Sequence, residues 1–232
     1  MNLYEAREIL RHTGMEIFTF RDMSRLMGTD PAVTRVYVHR MKVKGFLIPV
    51  QRGIYTISED PFIIASQIDQ PSYLSFSSAL YLHGRFSQVV NDLFVVTSGK
   101  TRQVSMEGYN IHFVHFNGSM MYGFQKDPKG NSYTFLADLE KAVVDILMRP
   151  RYLPVACCYD ALKEGFDKNI LEEYARRSGS EAVIRRTGFL LEASGYETTL
   201  APSTKTVYHL NPVLKRKGSF NSRWKLYINE VF

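Results

Sequence analysis

The segment that decides the fold of the N-terminal region reads DPAVTRVYVHRMKVKG and covers residues 30–45. Asp30 is a favourable N-cap residue, Pro31 suits the first helical position, and Gly45 is a typical stop signal. Four residues recur at the i, i+3, i+4 and i+7 spacing of one helix face: Thr34, Tyr37, Val38 and Met41. The sequence therefore predicts an amphipathic helix that ends near Lys44 and turns this face inward.

Two shorter helices are predicted before this segment. Apolar residues with helical spacing run through residues 3–10, and Gly14 closes that first helix. Thr19 can cap the second helix, which Gly28 stops. The turn between the second helix and the helix that starts at Pro31 is therefore only a few residues long.

A hairpin is predicted after the segment. Apolar residues alternate over residues 46–50, residues 51–53 form a turn, and residues 54–57 resume an apolar, β-rich run. The order helix, helix, short turn, helix, hairpin is that of a winged helix-turn-helix, which we predict for residues 1–60.

The charges in this region have one sign. Between Pro31 and Ile57 the chain carries five basic residues and no Asp or Glu. In a DNA-binding winged helix the third helix enters the major groove and the hairpin tip lies against phosphate. We predict that Arg35 and His39 contact bases and that the other basic side chains contact phosphate: Arg40, Lys42, Lys44 and Arg52. A winged helix that binds protein is the alternative, and it would carry less basic excess.

The composition is that of a globular protein. The chain has 232 residues, 45 % of them hydrophobic, and a net charge of +6, which suits two domains and favours a polyanionic partner such as nucleic acid. Its apolar stretches are far shorter than the roughly 20 residues that a bilayer crossing needs. The N-terminus also lacks the basic-then-apolar order of a signal peptide. We therefore expect a cytoplasmic protein with no membrane partner.

A second, larger domain is predicted after a polar, proline-punctuated stretch. We place a linker at residues 61–72, between the winged helix of residues 1–60 and a mixed α+β domain at residues 73–232, so that the whole chain is α+β. The predicted helices of this domain run from Tyr73 to Leu82, from Phe135 to Met148 and through most of residues 153–195. Its predicted strands are Leu93–Thr97, Ile111–Phe116, Tyr208–Leu210 and Trp224–Ile228.

A second one-signed segment lies at the C-terminus. Between residues 201 and 232 six basic residues face only Glu230, whereas residues 61–149 carry seven basic and seven acidic residues. This segment contains a possible C-terminal basic patch: Lys215, Arg216, Lys217 and Arg223. A merely solvated charged face is the alternative interpretation.

Specific catalytic motifs are absent from the sequence, which has no Gly-rich phosphate loop, no nucleophile elbow and no zinc-protease signature. His112 and His115 point to opposite faces of a predicted strand and do not predict a metal site. Asp138, Glu140 and Lys141 resemble a nuclease set only loosely, because all three lie in a predicted helix. We therefore expect a protein that is not an enzyme and that uses no cofactor and no metal.

Other polar residues are expected to be structural. Lys141 can pair with Glu140 or Asp145 and fix a helix against a loop, and His83-Gly84 suits a helix end with the glycine in a left-handed cap. Cys157 and Cys158 are neighbours in sequence, which rarely reach disulfide geometry, so we expect small buried side chains.

Several short motifs are specific in combination. In chain order they are Arg52-Gly53-Ile54-Tyr55, Ser75-Phe76-Ser77-Ser78-Ala79-Leu80 with His83-Gly84, Phe94-Val95-Val96-Thr97, Ala137-Asp138-Leu139-Glu140-Lys141-Ala142 to Asp145, Arg186-Thr187-Gly188-Phe189-Leu190-Leu191-Glu192, and Asn221-Ser222-Arg223-Trp224-Lys225 with Asn229. Over nearly the whole chain, their order and spacing resemble the AbiEi family of antitoxins, the regulators of type IV toxin-antitoxin operons.

The resemblance implies a DNA-binding repressor that acts on its own operon, joined to a C-terminal antitoxin domain that counteracts a nucleotidyltransferase-like toxin encoded next door. It implies double-stranded operator DNA with inverted repeats as a partner, and a cognate toxin that is opposed without a stable complex. The alternative is a winged-helix transcription factor whose C-terminal domain senses a small ligand or another protein.

Overall fold

A computed structural model describes residues 1–88, 91–106, 108–163, 165–215 and 217–231 of the chain. They form a mixed α+β protein, as the sequence predicts. The chain divides into two compact units. The first comprises Met1–Leu74, Asn91–Phe116 and Lys126–Phe135, and the second Ser75–Val90, Asn117–Gln125 and Leu136–Phe232.

These units are assembled from segments that alternate along the chain. The sequence predicts a simpler division, into residues 1–60, 61–72 and 73–232. This division into domains stays a prediction. Within the predicted linker, Pro61–Gln67 form a short helix whose residues from Ile63 to Ser66 are all buried.

Three helices and a small sheet alternate over residues 3–56. The helices are α1 (Leu3–Arg11), α2 (Phe20–Met27) and α3 (Pro31–Val43), and the strands are β1 (Ile17–Thr19), β2 (Ile48–Gln51) and β3 (Ile54–Thr56). The strand order is β1-β3-β2, and both pairings are antiparallel. The three predicted helices and the hairpin are confirmed. Strand β1 was not predicted, because three residues are too few to show a period.

The helix ends follow from local hydrogen bonds. Thr19 Oγ1 accepts from the backbone N–H of Asp22 at 3.1 Å, and Asp30 Oδ1 accepts from that of Ala32 at 2.8 Å. Gly28 ends α2 with φ = +61°, in the left-handed region that glycine enters without a steric penalty. The predicted caps are confirmed, and they set the short turn before α3.

The inner sides of these elements meet in one apolar cluster. Its buried members are Ala6, Leu10, Phe18, Met23, Met27, Val38, Met41 and Leu47. Thr34 is also fully buried, and its hydroxyl forms hydrogen bonds of 2.8 Å with Thr29 Oγ1 and with the carbonyl oxygen of Asp30. Since the Thr34–Val38–Met41 side of α3 is buried, the opposite side is left exposed.

The remainder of the first unit consists of a helix and most of a six-stranded sheet. The elements are α4 (Pro61–Gln67), β4 (Ser72–Leu74), β5 (Asp92–Thr97), β6 (Arg102–Met106), β7 (Tyr109–His115), β8 (Phe124–Lys129) and β9 (Ser132–Ala137). The strand order is β6-β7-β5-β4-β9-β8. The β5–β7 pair is parallel, whereas β4–β5 and β6–β7 are antiparallel.

The helices of the second unit pack around one central helix. They are α5 (Phe76–Leu82), α6 (Leu139–Met148), α7 (Ala156–Ala161), α8 (Lys168–Arg177) and α9 (Glu181–Ala193), with a short 3-10 helix at Gly118–Met120. Every residue of α6 from Leu139 to Leu147 is buried, and the helix contacts α5, α7, α8 and α9. A three-stranded sheet, β10 (Tyr208–His209), β11 (Ser219–Asn221) and β12 (Leu226–Ile228), has the order β10-β12-β11.

The predicted first residues of two helices were wrong. The helix predicted from Phe135 begins at Leu139, because β9 continues to Ala137. The helix predicted from Tyr73 begins at Phe76, because β4 comes first. A polar N-cap residue, Ser75 or Asp138, stands at each junction, but apolar residues lie on both sides of it, so periodicity alone did not mark the junction. Strands β6 and β8 were not predicted, since they are sheet edges with many exposed polar residues.

Charged groups inside the second unit are matched by partners. Lys141 and Asp145 form an ion pair within α6, and both side chains have no exposed surface. Ser75 Oγ donates to Asp145 Oδ2 at 2.8 Å, and Glu140 Oε1 accepts from the Asp167 N–H at 2.6 Å. Burial lowers the pKa of Lys141, although Asp145 acts in the opposite direction. The expected ion pair forms between Lys141 and Asp145, but it joins two residues of α6 and not the helix and a loop.

Glu172 on α8 ties that helix to the segment after α9. Its carboxylate accepts hydrogen bonds from Thr198 Oγ1 at 2.8 Å, from the Thr199 N–H at 3.0 Å and from Arg176 Nη2 at 3.1 Å. Burial alone would raise the pKa of Glu172, but a hydrogen bond from the Thr199 hydroxyl, together with the three above, outweighs burial and lowers the pKa to about 2.

We expect this carboxylate to make stability acid-sensitive. Because its pKa is lowered on folding, Glu172 stabilises the protein above the unfolded pKa near 4.5 and loses that contribution as the pH falls towards 2. The contribution near pH 7 is on the order of 3 kcal/mol. Urea unfolding of Glu172→Gln should show lower stability at pH 7 and a shallower loss between pH 4.5 and 2. Glu173→Gln, at an exposed neighbouring position, is the control; equal acid slopes for Glu172→Gln and wild type would contradict the assignment.

Candidate nucleic-acid interface

The exposed side of α3 carries most of the basic residues that the sequence singled out. Arg35, His39, Arg40 and Lys42 are exposed, opposite the buried Thr34–Val38–Met41 side. At about 100° per residue, His39 falls near the middle of the exposed side and Arg40 towards one edge. Arg35 and Lys42 are seven residues apart and lie together towards the other edge. Position on the helix therefore does not separate Arg35, predicted to contact bases, from Lys42, predicted to contact phosphate.

The predicted phosphate contacts continue beyond α3. Lys44 is the C-cap residue of α3 and is exposed. Arg52 is exposed in the turn between β2 and β3, next to Gly53, whose φ of +77° is one that glycine adopts readily. The hairpin tip therefore presents a cation, as the sequence predicts.

The side chains predicted to contact DNA are not engaged by other residues in the described part of the chain. Among the described residues, no acidic group forms an ion pair with any of the six predicted DNA contacts, and none of their side chains is hydrogen-bonded to another described residue: Arg35, His39, Arg40, Lys42, Lys44 and Arg52. By contrast, Arg25 on α2 pairs with Asp22 at 3.5 Å, and Arg11 on α1 pairs with Glu8 at 3.9 Å. The third helix, its C-cap and the hairpin thus carry six basic side chains without an acidic partner among the described residues, although Arg21 on α2 also lacks one.

Three exposed valines on the same helix were not singled out from the sequence. Val33, Val36 and Val43 are 40 %, 48 % and 73 % exposed. A β-branched apolar residue beside arginines on an exposed helix face is suited to contact thymine methyl groups in a major groove. The signal was present in the sequence, because none of these valines falls on the inward stripe.

The C-terminal basic patch is only partly free in the structure. Lys215 and Lys217 are exposed, whereas Arg216 lies outside the described residues. Arg223 is also exposed, but its Nη2 lies 2.7 Å from Glu192 Oε1, so its charge already has a partner. The four residues predicted as one patch are therefore not equivalent.

Glu192 also joins two of the motifs that carry the family resemblance. Trp224 Nε1 donates to Glu192 Oε2 at 2.6 Å. The Trp224 ring is fully buried against Gly188 of α9, where an added Cβ would lie 2.0 Å from Trp224 Cη2. The glycine in the α9 motif is explained by this close approach.

The other polar groups weighed in the sequence bind separate partners. His112 Nε2 lies 2.7 Å from Asp92 Oδ1, and His115 Nδ1 lies 2.7 Å from the Gly99 carbonyl oxygen. His83 Nε2 lies 2.8 Å from the carbonyl oxygen of Ala137, and Gly84 follows with φ = +70°, which confirms the predicted helix end.

The loose nuclease set is also divided among partners. Asp138 Oδ2 accepts from Tyr174 Oη at 3.0 Å, while Glu140 and Lys141 are bound to Asp167 and Asp145. The described residues contain no group of three or more His, Cys, Asp or Glu side chains arranged to hold a metal ion. Of the helices in the described ranges, none is both long and apolar enough to cross a membrane.

No protein-family model matches the chain, and no curated protein matches it significantly.

The Gly188–Trp224 contact has a measurable consequence. Glycine to alanine inside a helix ordinarily stabilises by up to about 1 kcal/mol. At Gly188 we expect destabilisation of about 1–3 kcal/mol, because the new methyl group overlaps the buried indole ring. Urea midpoints measure it, and the loss should shrink in a Trp224→Phe background, which removes the overlapping ring atoms. A higher midpoint for Gly188→Ala alone would contradict this role of the contact.

Proposed function

We propose that residues 1–60 are a winged helix-turn-helix and that the protein is a transcriptional repressor that binds double-stranded DNA. The observation that carries the proposal is the exposed side of α3, where Arg35, His39, Arg40 and Lys42 lie without acidic partners among the described residues. Because charged residues on a protein surface are usually mixed in sign, a one-signed face on a helix favours a polyanionic ligand.

The arrangement of the surrounding elements supports the same proposal. The order α1, β1, α2, α3, β2, β3 and the sheet order β1-β3-β2 suit a helix-turn-helix followed by a hairpin wing. With its side chains α3 is about 10–12 Å across, which matches the roughly 12 Å width of the major groove.

In this proposal each basic residue has a distinct role. Arg35 and His39 contact base edges, since guanine presents two acceptors to an arginine in the major groove. Val36 contacts thymine methyl groups. The remaining cations contact phosphate and set the register of the helix on the duplex: Arg40, Lys42, Lys44 and Arg52.

We further propose that the protein is the antitoxin of a type IV toxin-antitoxin system. The support is the resemblance to the AbiEi family in motif order, from Arg52-Gly53-Ile54-Tyr55 to the region around Trp224. In this proposal the protein is cytoplasmic, is not an enzyme and represses its own operon. Residues 73–232 oppose a nucleotidyltransferase-like toxin without a stable complex.

The DNA-binding proposal is tested by two substitutions with different expected effects. Arg35→Ala should weaken binding to the operator by about 1–3 kcal/mol and relax specificity, because a base contact is lost. Lys42→Ala should weaken binding to all duplexes alike and reduce the salt slope by about one. Titrations of a duplex from upstream of the gene and of a scrambled duplex, at several salt concentrations, measure both effects.

A control variant shows whether an effect depends on the position of the cation or only on the net charge of the protein. Lys163→Ala removes an exposed cation in the second unit that is paired with Asp160, and it should leave operator affinity unchanged. If Arg35→Ala and Lys42→Ala bound both duplexes like the wild type, the placement of α3 in the groove would be wrong.

The antitoxin proposal has its own experiment. The chain should restore growth when it is expressed with a nucleotidyltransferase-like protein encoded beside its gene. Arg35→Ala should still restore growth while repression is weakened, because toxin opposition is assigned to residues 73–232. Failure of the wild-type chain to restore growth would overturn the antitoxin role and leave the repressor role standing.

A further inference from the structure

Three rings lie side by side across the sheet of the second unit. In the strand register, Tyr227 of β12 pairs with His209 of β10 on one side and with Phe220 of β11 on the other. The ring centroids of His209 and Tyr227 are 5.3 Å apart, with planes 22° from parallel. Those of Phe220 and Tyr227 are 5.2 Å apart. We call His209, Tyr227 and Phe220 the ring ladder.

The ring ladder lies on the outer face of this sheet. Phe220 and Tyr227 are 46 % and 38 % exposed, whereas the neighbouring Leu226, which points to the other face, is fully buried. Large apolar side chains that are grouped on a surface and add little to the core are typical of binding sites.

The segments beside the ring ladder are cationic. Lys215 and Lys217 are exposed in the connection before β11, and Lys225 is half-buried in the turn before β12. The only acidic residue of residues 201–232 is Glu230. Its carboxylate accepts from the Ala156 N–H at 2.8 Å and from Asn211 Nδ2 at 2.7 Å, so both of its oxygens are already engaged.

We propose that the ring ladder is a binding platform for single-stranded nucleic acid. Unpaired bases stack on Tyr227 and Phe220, and the phosphates run past Lys215, Lys217 and Lys225. Exposed aromatic rings on neighbouring strands combined with cations are the chemistry that recognises unstacked bases. A duplex does not offer its base faces to such rings, so the platform selects single strands.

This site is separate from the proposed duplex-binding site. None of its residues belongs to α3 or to the β2–β3 hairpin, and both rings can be changed without touching the apolar cluster around Met23 and Val38. The failure of one proposal therefore leaves the other intact.

The test is fluorescence anisotropy with the full chain and labelled oligo(U) and oligo(dT), each about 12 nucleotides long. The same titration is made with the operator duplex. At near-physiological salt, Tyr227→Ala and Phe220→Ala should each weaken single-strand binding at least about five-fold. Tyr227→Phe should keep wild-type affinity, because the stacking face remains. Neither alanine variant should change duplex binding.

Two control variants accompany the ring variants. Tyr196→Ala removes a tyrosine of the second unit with similar exposure, 36 %, and should leave single-strand binding unchanged. Arg35→Ala should weaken duplex binding and leave single-strand binding unchanged. Circular dichroism should show the native fold in both ring variants, since Phe220 and Tyr227 are exposed.

Comparison of oligo(U) with oligo(dT) shows whether the platform binds RNA, DNA or both. Equal binding of both strands means that the platform contacts only the groups that RNA and DNA share, the bases and the phosphates. A preference for oligo(U) means that the 2′-hydroxyl is also read. Either result, together with the loss in the ring variants, supports the proposal.

Other results would overturn it. Single-strand binding that survives Tyr227→Ala and Phe220→Ala but is lost in Lys215→Ala would show a purely electrostatic surface. If neither strand bound, and sedimentation showed a wild-type dimer that the ring variants abolish, the ring ladder would be an interface between copies of the chain.

Discussion

Helix α6 can lie inside the second unit because its charges are paired there. An ion moved out of water costs several kcal/mol unless a partner and hydrogen bonds replace its hydration. Asp145 meets both conditions, since one oxygen faces Lys141 and the other accepts from Ser75, directly before α5. Glu140 receives the N–H of Asp167 at the start of α8. The positions of α5 and α8 against α6 therefore depend on this set of polar contacts, and the remaining helices pack on the same element.

On helix α3, in contrast, the charged side chains are exposed. Thr34, Val38 and Met41 form its buried side, and its cations are exposed to water, where an unpaired charge costs little free energy. Local structure alone does not require such an excess, because α1 and α2 each contain an arginine paired with an acid three residues away. In the proposal above, a polyanionic ligand supplies the partners that these cations lack among the described residues.

The two candidate surfaces differ in the part of a nucleic acid that they suit. Helix α3 presents cations and three valines on a convex surface, which suits a groove lined by base edges and phosphates. The ring ladder around Tyr227 presents flat rings beside lysines, which matches bases that are out of a duplex. The two proposals therefore assign the duplex and the single strand to different parts of the chain.

The sequence by itself determined the elements whose signals are local. The caps at Thr19 and Asp30, the stop at Gly28, the stripe of α3 and the turn at Gly53 each depend on residues within a few positions of one another, so propensity and spacing were sufficient. The exposed cations of α3 followed from the same stripe. Only the tertiary structure decided the six-stranded sheet order, the starts of α5 and α6, the close approach of Trp224 to Gly188, and the alignment of His209, Tyr227 and Phe220. These features join residues far apart in the chain, and their positions are set by packing and strand register, which no local pattern encodes.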